Sequence, residues 1–328
     1  MAENSSPTLL ATEQREDRKT LASAEALRVR PQRTLWGNAW RQFRHHRLAM
    51  AGLFIFIFFI LLCFVGPLVY SELYFSPFKY TTSLTPGSEG RVLGTDSMGQ
   101  DLLARILFGG RVSLSVGIVA ALIAVIVGTL VGAAAGFFGG LTDSILMRIT
   151  DLFISLPQLP LLLLITFLFK QSMQDWAATV FGAAQVGTFI LIVGVIGLLA
   201  WMPTARLVRA SFLSMKEKEF VEAARSIGAE QNSLIFRHIL PNVMSPIIVA
   251  ATLEVGSAII TESSLSFLGL GFPYDVPTWG AMLFNAKDLL QFSPHEAIIP
   301  GTMIFLTVLA INYMGDGLRD ALDPRKTT

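Results

Sequence analysis

The chain has 328 residues, of which 52% are hydrophobic and 15% charged, where a soluble domain carries about 25% charged residues; its mean hydropathy is +0.57. This balance describes a protein whose main solvent is lipid rather than water. The net charge of +1 gives no pull toward nucleic acid, and the single cysteine, Cys63, lies in an apolar run where it acts as a small hydrophobe, with no basis for a disulfide, a metal site or a redox role.

Residues 1–35 are polar, rich in Ser, Thr, Gln, Glu and Arg, and are expected to form a disordered tail. No secretory signal is expected, because the first apolar run begins only near Leu48 and is long enough to stay in a membrane. Trp36, Trp40 and Phe43, followed by Arg44, His45, His46 and Arg47, describe an amphipathic lead-in helix lying at the headgroups, with the histidines as interfacial anchors rather than ligands. A spanning helix needs about 20 apolar residues to cross the hydrocarbon. Gaps between charged residues place helix one at about 48–70, helix two at 112–138, helix three from about Leu146 to Lys170, helix four at 186–203, helix five at 243–268 and helix six at 297–315. The expected fold is therefore an all-α integral membrane protein with six transmembrane helices.

Orientation follows from Lys and Arg, which stay cytoplasmic. Segments 1–47, 139–148, 203–242 and 316–328 hold 9, 1, 6 and 3 of them, against 4, 1 and 1 in 71–111, 170–186 and 266–297. Both termini are expected in the cytoplasm. The chain lacks a G-x-x-x-x-G-K-S/T phosphate loop, G-x-S-x-G, H-E-x-x-H and C-x-x-C, and its four histidines are scattered. Catalytic residues and metal ligands are therefore not expected, and energy must come from a partner or an ion gradient.

Within the spans, Gly128, Gly132 and Gly136 recur every four residues, a spacing that lets another helix approach closely in lipid. Pro157 and Pro160 interrupt helix three. Asp151 is expected to pair with Arg148, three residues earlier. Charge at membrane depth is costly and marks functional sites, so Glu254, near the middle of helix five, and Glu262, near its outer end, are candidate translocation-pathway residues. These two acids would also suit a gradient-driven secondary carrier, although the inverted repeats of such carriers are not visible. Residues 269–297, with GFP, VPTWG and SP turns, are expected to form an outer loop, in part re-entrant.

The loop 203–242 is the most informative segment. Ser214 and Glu217 have capping-box spacing, Phe220, Ala224 and Ile227 share one helical face, and Glu222 is spaced to pair with Arg225. Gly228 stands where a left-handed residue ends a helix, and Pro241 opens helix five. The expected structure is a short amphipathic helix, a polar loop and a second short helix in the cytosol. Taken alone, it is either a solvated loop or a partner-docking element.

The stretch Glu222-Ala-Ala-Arg-Ser-Ile-Gly228, followed by Ile239-Leu240-Pro241, resembles the EAA signature of binding-protein-dependent ABC importer permeases. LGTDSMGQDLLARILFGGRVSLSVG (93–117), LMRITDLFISLP (146–157), TESSLSFLGLG (261–271), PTWGAML (277–283) and GDGLRDALDPR (315–325) are similar, in this order, to the C-type permease of the dipeptide/oligopeptide/nickel subfamily. Gln100 and Ala104 depart from the Arg and Ser frequent there. The resemblance implies a type I ABC importer (MetI-like) permease fold, with a permease domain over 111–318 after a lead-in and first-helix region over 36–110, and a cytoplasmic tail over 319–328. It also implies a bacterial or archaeal cytoplasmic membrane and import of di- or oligopeptides, nickel or another solute. The implied partners are a second permease, two ABC ATPase subunits that use ATP and magnesium, and an extracytoplasmic solute-binding protein; this chain itself would bind no cofactor. Carried over by position, Glu222, Ala223, Ala224, Arg225, Ile227, Gly228 and Pro241 would make the ATPase-coupling element.

Overall fold

The computed structural model describes residues 35–70 and 80–322. The tail expected before Leu35 and the residues after Leu322 lie outside that range, as does the side chain of Trp36. Among the described residues the regular structure is all helix, with a single backbone bridge between Thr95 and Asp101.

Helix α1 (Leu35–His45) buries Ala39 and Phe43 and leaves Trp40 exposed. It turns directly into α2 (Arg47–Val69), whose first turn is capped by the His46 ring accepting the Ala49 N–H at 3.1 Å. Next come α3 (Leu102–Phe138), α4 (Gly140–Ser155), α5 (Gln158–Phe181), α6 (Ala184–Leu198), α7 (Trp201–Lys216) and α8 (Glu219–Ser226). One turn (Gln231–Ser233) and one π-helical turn (Leu234–Ile239) lead into α9 (Leu240–Phe267), followed by α10 (Trp279–Ala286) and α11 (His295–Leu322). Five segments are long and apolar enough to cross a bilayer: Arg47–Val69, Leu102–Phe138, Ala184–Lys216, Gln231–Phe267 and His295–Leu322; α4 and α5 qualify together as a sixth, bent by 85°. Large apolar residues such as Phe54, Leu68, Leu130 and Phe167 face outward, as lipid-facing positions do.

Three boundaries differ from expectation, each for a physical reason. Helix two starts ten residues early, at Leu102, because Asp101 accepts the Ala104 N–H at 2.9 Å as an N-cap and the Arg105 guanidinium is neutralised by Asp96 at 3.1 Å. Helix four runs on through α7 because Arg206 pairs with Asp151 at 2.5 Å and Arg209 forks onto both carboxylate oxygens of Asp143. Arg206 thus takes the partner role expected of Arg148. Helix three breaks in two, since Pro157 drives Leu156 into extended backbone (φ −78°, ψ 137°).

The tightest helix pair is α3 against α7. A Cβ on Gly128 would lie 2.6 Å from the Trp201 carbonyl oxygen, and one on Gly136 2.7 Å from Phe212 Cβ; one on Gly132 would strike the Ala205 carbonyl oxygen. The backbones meet where those three glycines leave no side chain. Buried Cys63 packs with Leu102, Ile106, Leu114, Trp279 and Ile311, as expected of a small hydrophobe.

The two ends of the bundle differ. Gln42 donates to the Asp320 carbonyl at 2.9 Å and Ser245 to the Leu322 carbonyl at 3.4 Å, so α1, the start of α9 and the end of α11 share one end. Helix α8 is at that end too, because Lys216, just before it, donates to the Phe137 carbonyl at the end of α3 (2.8 Å). At the opposite end, residues 80–101 fold over the starts of α3 and α11.

Candidate functional site

Helix α8 is short, with Glu219 and Glu222 in its first turn and Arg225 in its last, each placed to suit the helix dipole. Its C-terminus is closed by a Schellman pair: Gly228 N–H donates to the Arg225 carbonyl and Ala229 N–H to the Ala224 carbonyl, both at 3.0 Å. That closure needs a left-handed residue, and Gly228 has φ +86°. No capping box forms. Ser214 lies inside α7, whose apolar face at Val208 and Phe212 carries the helix past it, and Lys218 is the uncapped N-cap of α8.

The inward face of α8 is Val221 and Ala224, packed with Phe137 of α3, Val208 and Phe212 of α7, and Leu234 and Ile239 ahead of α9. Glu222, Ala223, Arg225, Ile227, Gly228 and, at the start of α9, Pro241 are all exposed. Ala224 therefore anchors the helix from inside and cannot be a surface contact. The outward apolar stripe runs instead through Phe220 (43% exposed), Ala223 and Ile227 (87%). Glu222 and Arg225 form no ion pair, because both point into solvent.

The two acids of α9 have different surroundings. Glu262 is fully enclosed and accepts from Ser266 (2.7 Å) and Ser113 (3.2 Å); Ser113 in turn accepts the Trp279 N–H at 3.2 Å. Its carboxylate ties α3, α9 and α10 together in the interior of the chain, away from any cleft wall. Glu254 instead lines an open cleft of about 400 Å³ beside the α4–α5 break. A charged side chain in mid-membrane costs about 2.5–3.5 kcal/mol on insertion scales, so this position calls for a polar surrounding.

At the far end the structure adds residues that composition and spacing gave no reason to select. Buried Arg105 stacks on Tyr274 and pairs with Asp96; the Gln100 side-chain oxygen Oε1 accepts from Arg105 and, at 3.3 Å, from the Tyr274 hydroxyl. Burial pushes the Tyr274 hydroxyl up to about 12, against the pull of the guanidinium. Glu296, at the start of α11, accepts from Ser83 (2.9 Å) and the Ser97 N–H (3.1 Å). Gln100, which departs from the subfamily pattern, is thus an acceptor in a closed polar latch.

Residues 125–328 match the family model described as binding-protein-dependent transport system inner membrane component. Residues 34–86 match the N-terminal TM domain of oligopeptide transport permease C. The oligopeptide transport system permease protein OppC of Escherichia coli (strain K12) is 40% identical over 294 residues, 89% of this chain and 92% of that protein. The glutathione transport system permease protein GsiD of Pectobacterium atrosepticum is 38% identical over 93% of this chain and 96% of its own length. The dipeptide transport system permease protein DppC of Alkalihalophilus pseudofirmus is 38% identical over 88% and 90%. A chain from inward-facing conformations of the MetNI methionine ABC transporter shares the fold, with a TM-score of 0.50 over 68% of this chain and 96% of that one at 16% identity. A family match over most of the residues and relatives alike along nearly their whole lengths set aside the gradient-driven carrier: the chain belongs to the binding-protein-dependent transport system inner membrane components, as a membrane-spanning permease subunit of an ABC importer.

Proposed function

We propose that this chain is one of two permease subunits in a bacterial importer of short peptides, and that α8 is the element through which ATPase subunits drive it. The peptide class rests on the solutes named for its relatives: oligopeptides, dipeptides and glutathione. The observation that carries the mechanical reading is the two-sidedness of α8. Its inner face is locked into α3, α7 and the start of α9, while Phe220, Ala223 and Ile227 form an apolar ridge flanked by Glu222 and Arg225 that none of the described residues covers. An exposed helix with an apolar ridge and a charged flank suits a groove on another protein.

ATP hydrolysis belongs to the partner ATPases, and this subunit contributes two membrane conformations of differing stability. When the ATPases close, they draw α8 inward; α3 and α7, joined along their glycine contact, move with it as one lever. A second permease completes the pathway, and an extracytoplasmic binding protein delivers solute at the end formed by residues 80–101 and 269–297. The distribution of Lys and Arg supports α8 and both termini facing the cytoplasm.

Replacing Glu222 with Lys, or Gly228 with Pro, in the complete transporter tests this. Uptake should fall by about tenfold or more, with loss of co-purifying ATPase, as for central interface residues. Normal uptake together with normal co-purification would contradict the coupling role.

A further inference from the structure

Glu254 sits at the midpoint of the 28-residue α9. It is half-buried and, among the described residues, makes no hydrogen bond and no ion pair. Three residues on is Ser257, and four beyond that Thr261, so the three polar groups stack on one face of the helix. All three line the 400 Å³ cleft, and Gln158, the first residue of α5 after the break, lines it as well. The other lining residues are apolar, and none is Lys or Arg. The cleft is within the size range of small-molecule sites, about 300–1,000 Å³.

A carboxylate at this depth is costly against acyl chains, which favours a cleft that opens on a watery path or on the second permease. It holds one negative charge, a stripe of hydroxyls and no counter-cation of its own. Oligopeptides, dipeptides and glutathione, the solutes named for the relatives, share one cationic group whatever their side chains: the α-ammonium.

The geometry points to a transient subsite in which the Glu254 carboxylate holds the α-ammonium group of a passing peptide. Ser257 and Thr261 offer lone pairs to its remaining N–H groups; the Thr261 hydroxyl proton is already committed to the Ser257 carbonyl at 2.8 Å, which leaves its oxygen free to accept. Partial exposure keeps the contact weak, as passage requires: a solute must leave as readily as it arrives. This subsite rests on the peptide-import reading above.

The test uses the complete transporter in proteoliposomes, with its binding protein saturated by a dipeptide carrying a free amine. Wild type, Glu254→Gln and Glu254→Asp are compared for maximal ATP-dependent uptake, for the half-saturating concentration of loaded binding protein, and for co-purification of the second permease. Glu254→Gln should lower the maximal rate about tenfold, the scale of one lost charge-assisted hydrogen bond, with the half-saturating concentration and assembly unchanged. Glu254→Asp should keep most of the rate. Full uptake by Glu254→Gln overturns the subsite while leaving peptide import standing. Loss of the second permease from the Glu254→Gln complex overturns it in favour of an ion pair between subunits. A wild-type complex that moves no peptide overturns the import reading, and this subsite with it.

Discussion

Gly228 has no neighbour to make room for: a Cβ there would meet nothing within 4 Å. Its φ of +86° is the whole of its structural reason. Gly228→Ala should therefore cost about 1–2 kcal/mol, concentrated at the end of α8, and read out as faster amide exchange at Ala229 with a global Tm lowered by only a few degrees. A fall in global Tm of the kind a core substitution produces would contradict that. Position alone made this residue legible, as it did Gly128, Gly132 and Gly136, because chain-local geometry dictates both. The acids were not legible in the same way. Glu254 and Glu262 look alike in sequence, eight residues apart on one helix, yet Glu262 is satisfied by a hydroxyl on Ser113, 149 residues away. No local pattern carries that information. Ala224 was placed on the wrong face for a related reason: an eight-residue helix offers two candidate stripes, and only the packing of Val221 against α3 and α7 decides between them.

Helix positions could be read from runs of apolar residues, but helix ends could not, because a charge does not by itself end a helix. Arg111 and Arg206 looked like boundaries, yet the first lies exposed inside α3 and the second is answered by Asp151 from α4; Arg105 and Arg209, beyond those limits, are likewise paired with aspartates. The Arg209–Asp143 fork joins α7 to α4, where both side chains are partly exposed. Arg209→Ala should cost only about 1 kcal/mol of stability at such a solvent-screened position. Swapping the pair, Arg209→Asp with Asp143→Arg, should recover most of it in thermal melts of the purified protein. Failure of the swap to restore stability would mean that Arg209 acts through packing rather than charge. The break in helix three was signalled by Pro157 and Pro160; the 85° bend that turns it into two arms around a cleft was not, since a proline specifies a break and leaves its angle to packing.

The molecule as a whole is organised around α3, whose 37 residues span about 55 Å at 1.5 Å each. At one end Arg105 is held in the latch of Asp96, Gln100 and Tyr274; at the other Phe137 packs against α8; in between the glycines lock α3 to α7. A displacement applied to α8 therefore has a stiff path into the membrane, past the cleft of Glu254. The central claim is that α8 faces the cytoplasm and is covered there by the ATPase. Ile227→Cys places a thiol at its most exposed apolar position, and the native Cys63 is fully buried and silent to such reagents. With a membrane-impermeant maleimide, labelling is expected in inside-out vesicles stripped of ATPase, is suppressed when the ATPase is added back, and is absent in right-side-out vesicles. Labelling in right-side-out vesicles, or labelling indifferent to the ATPase, would contradict it.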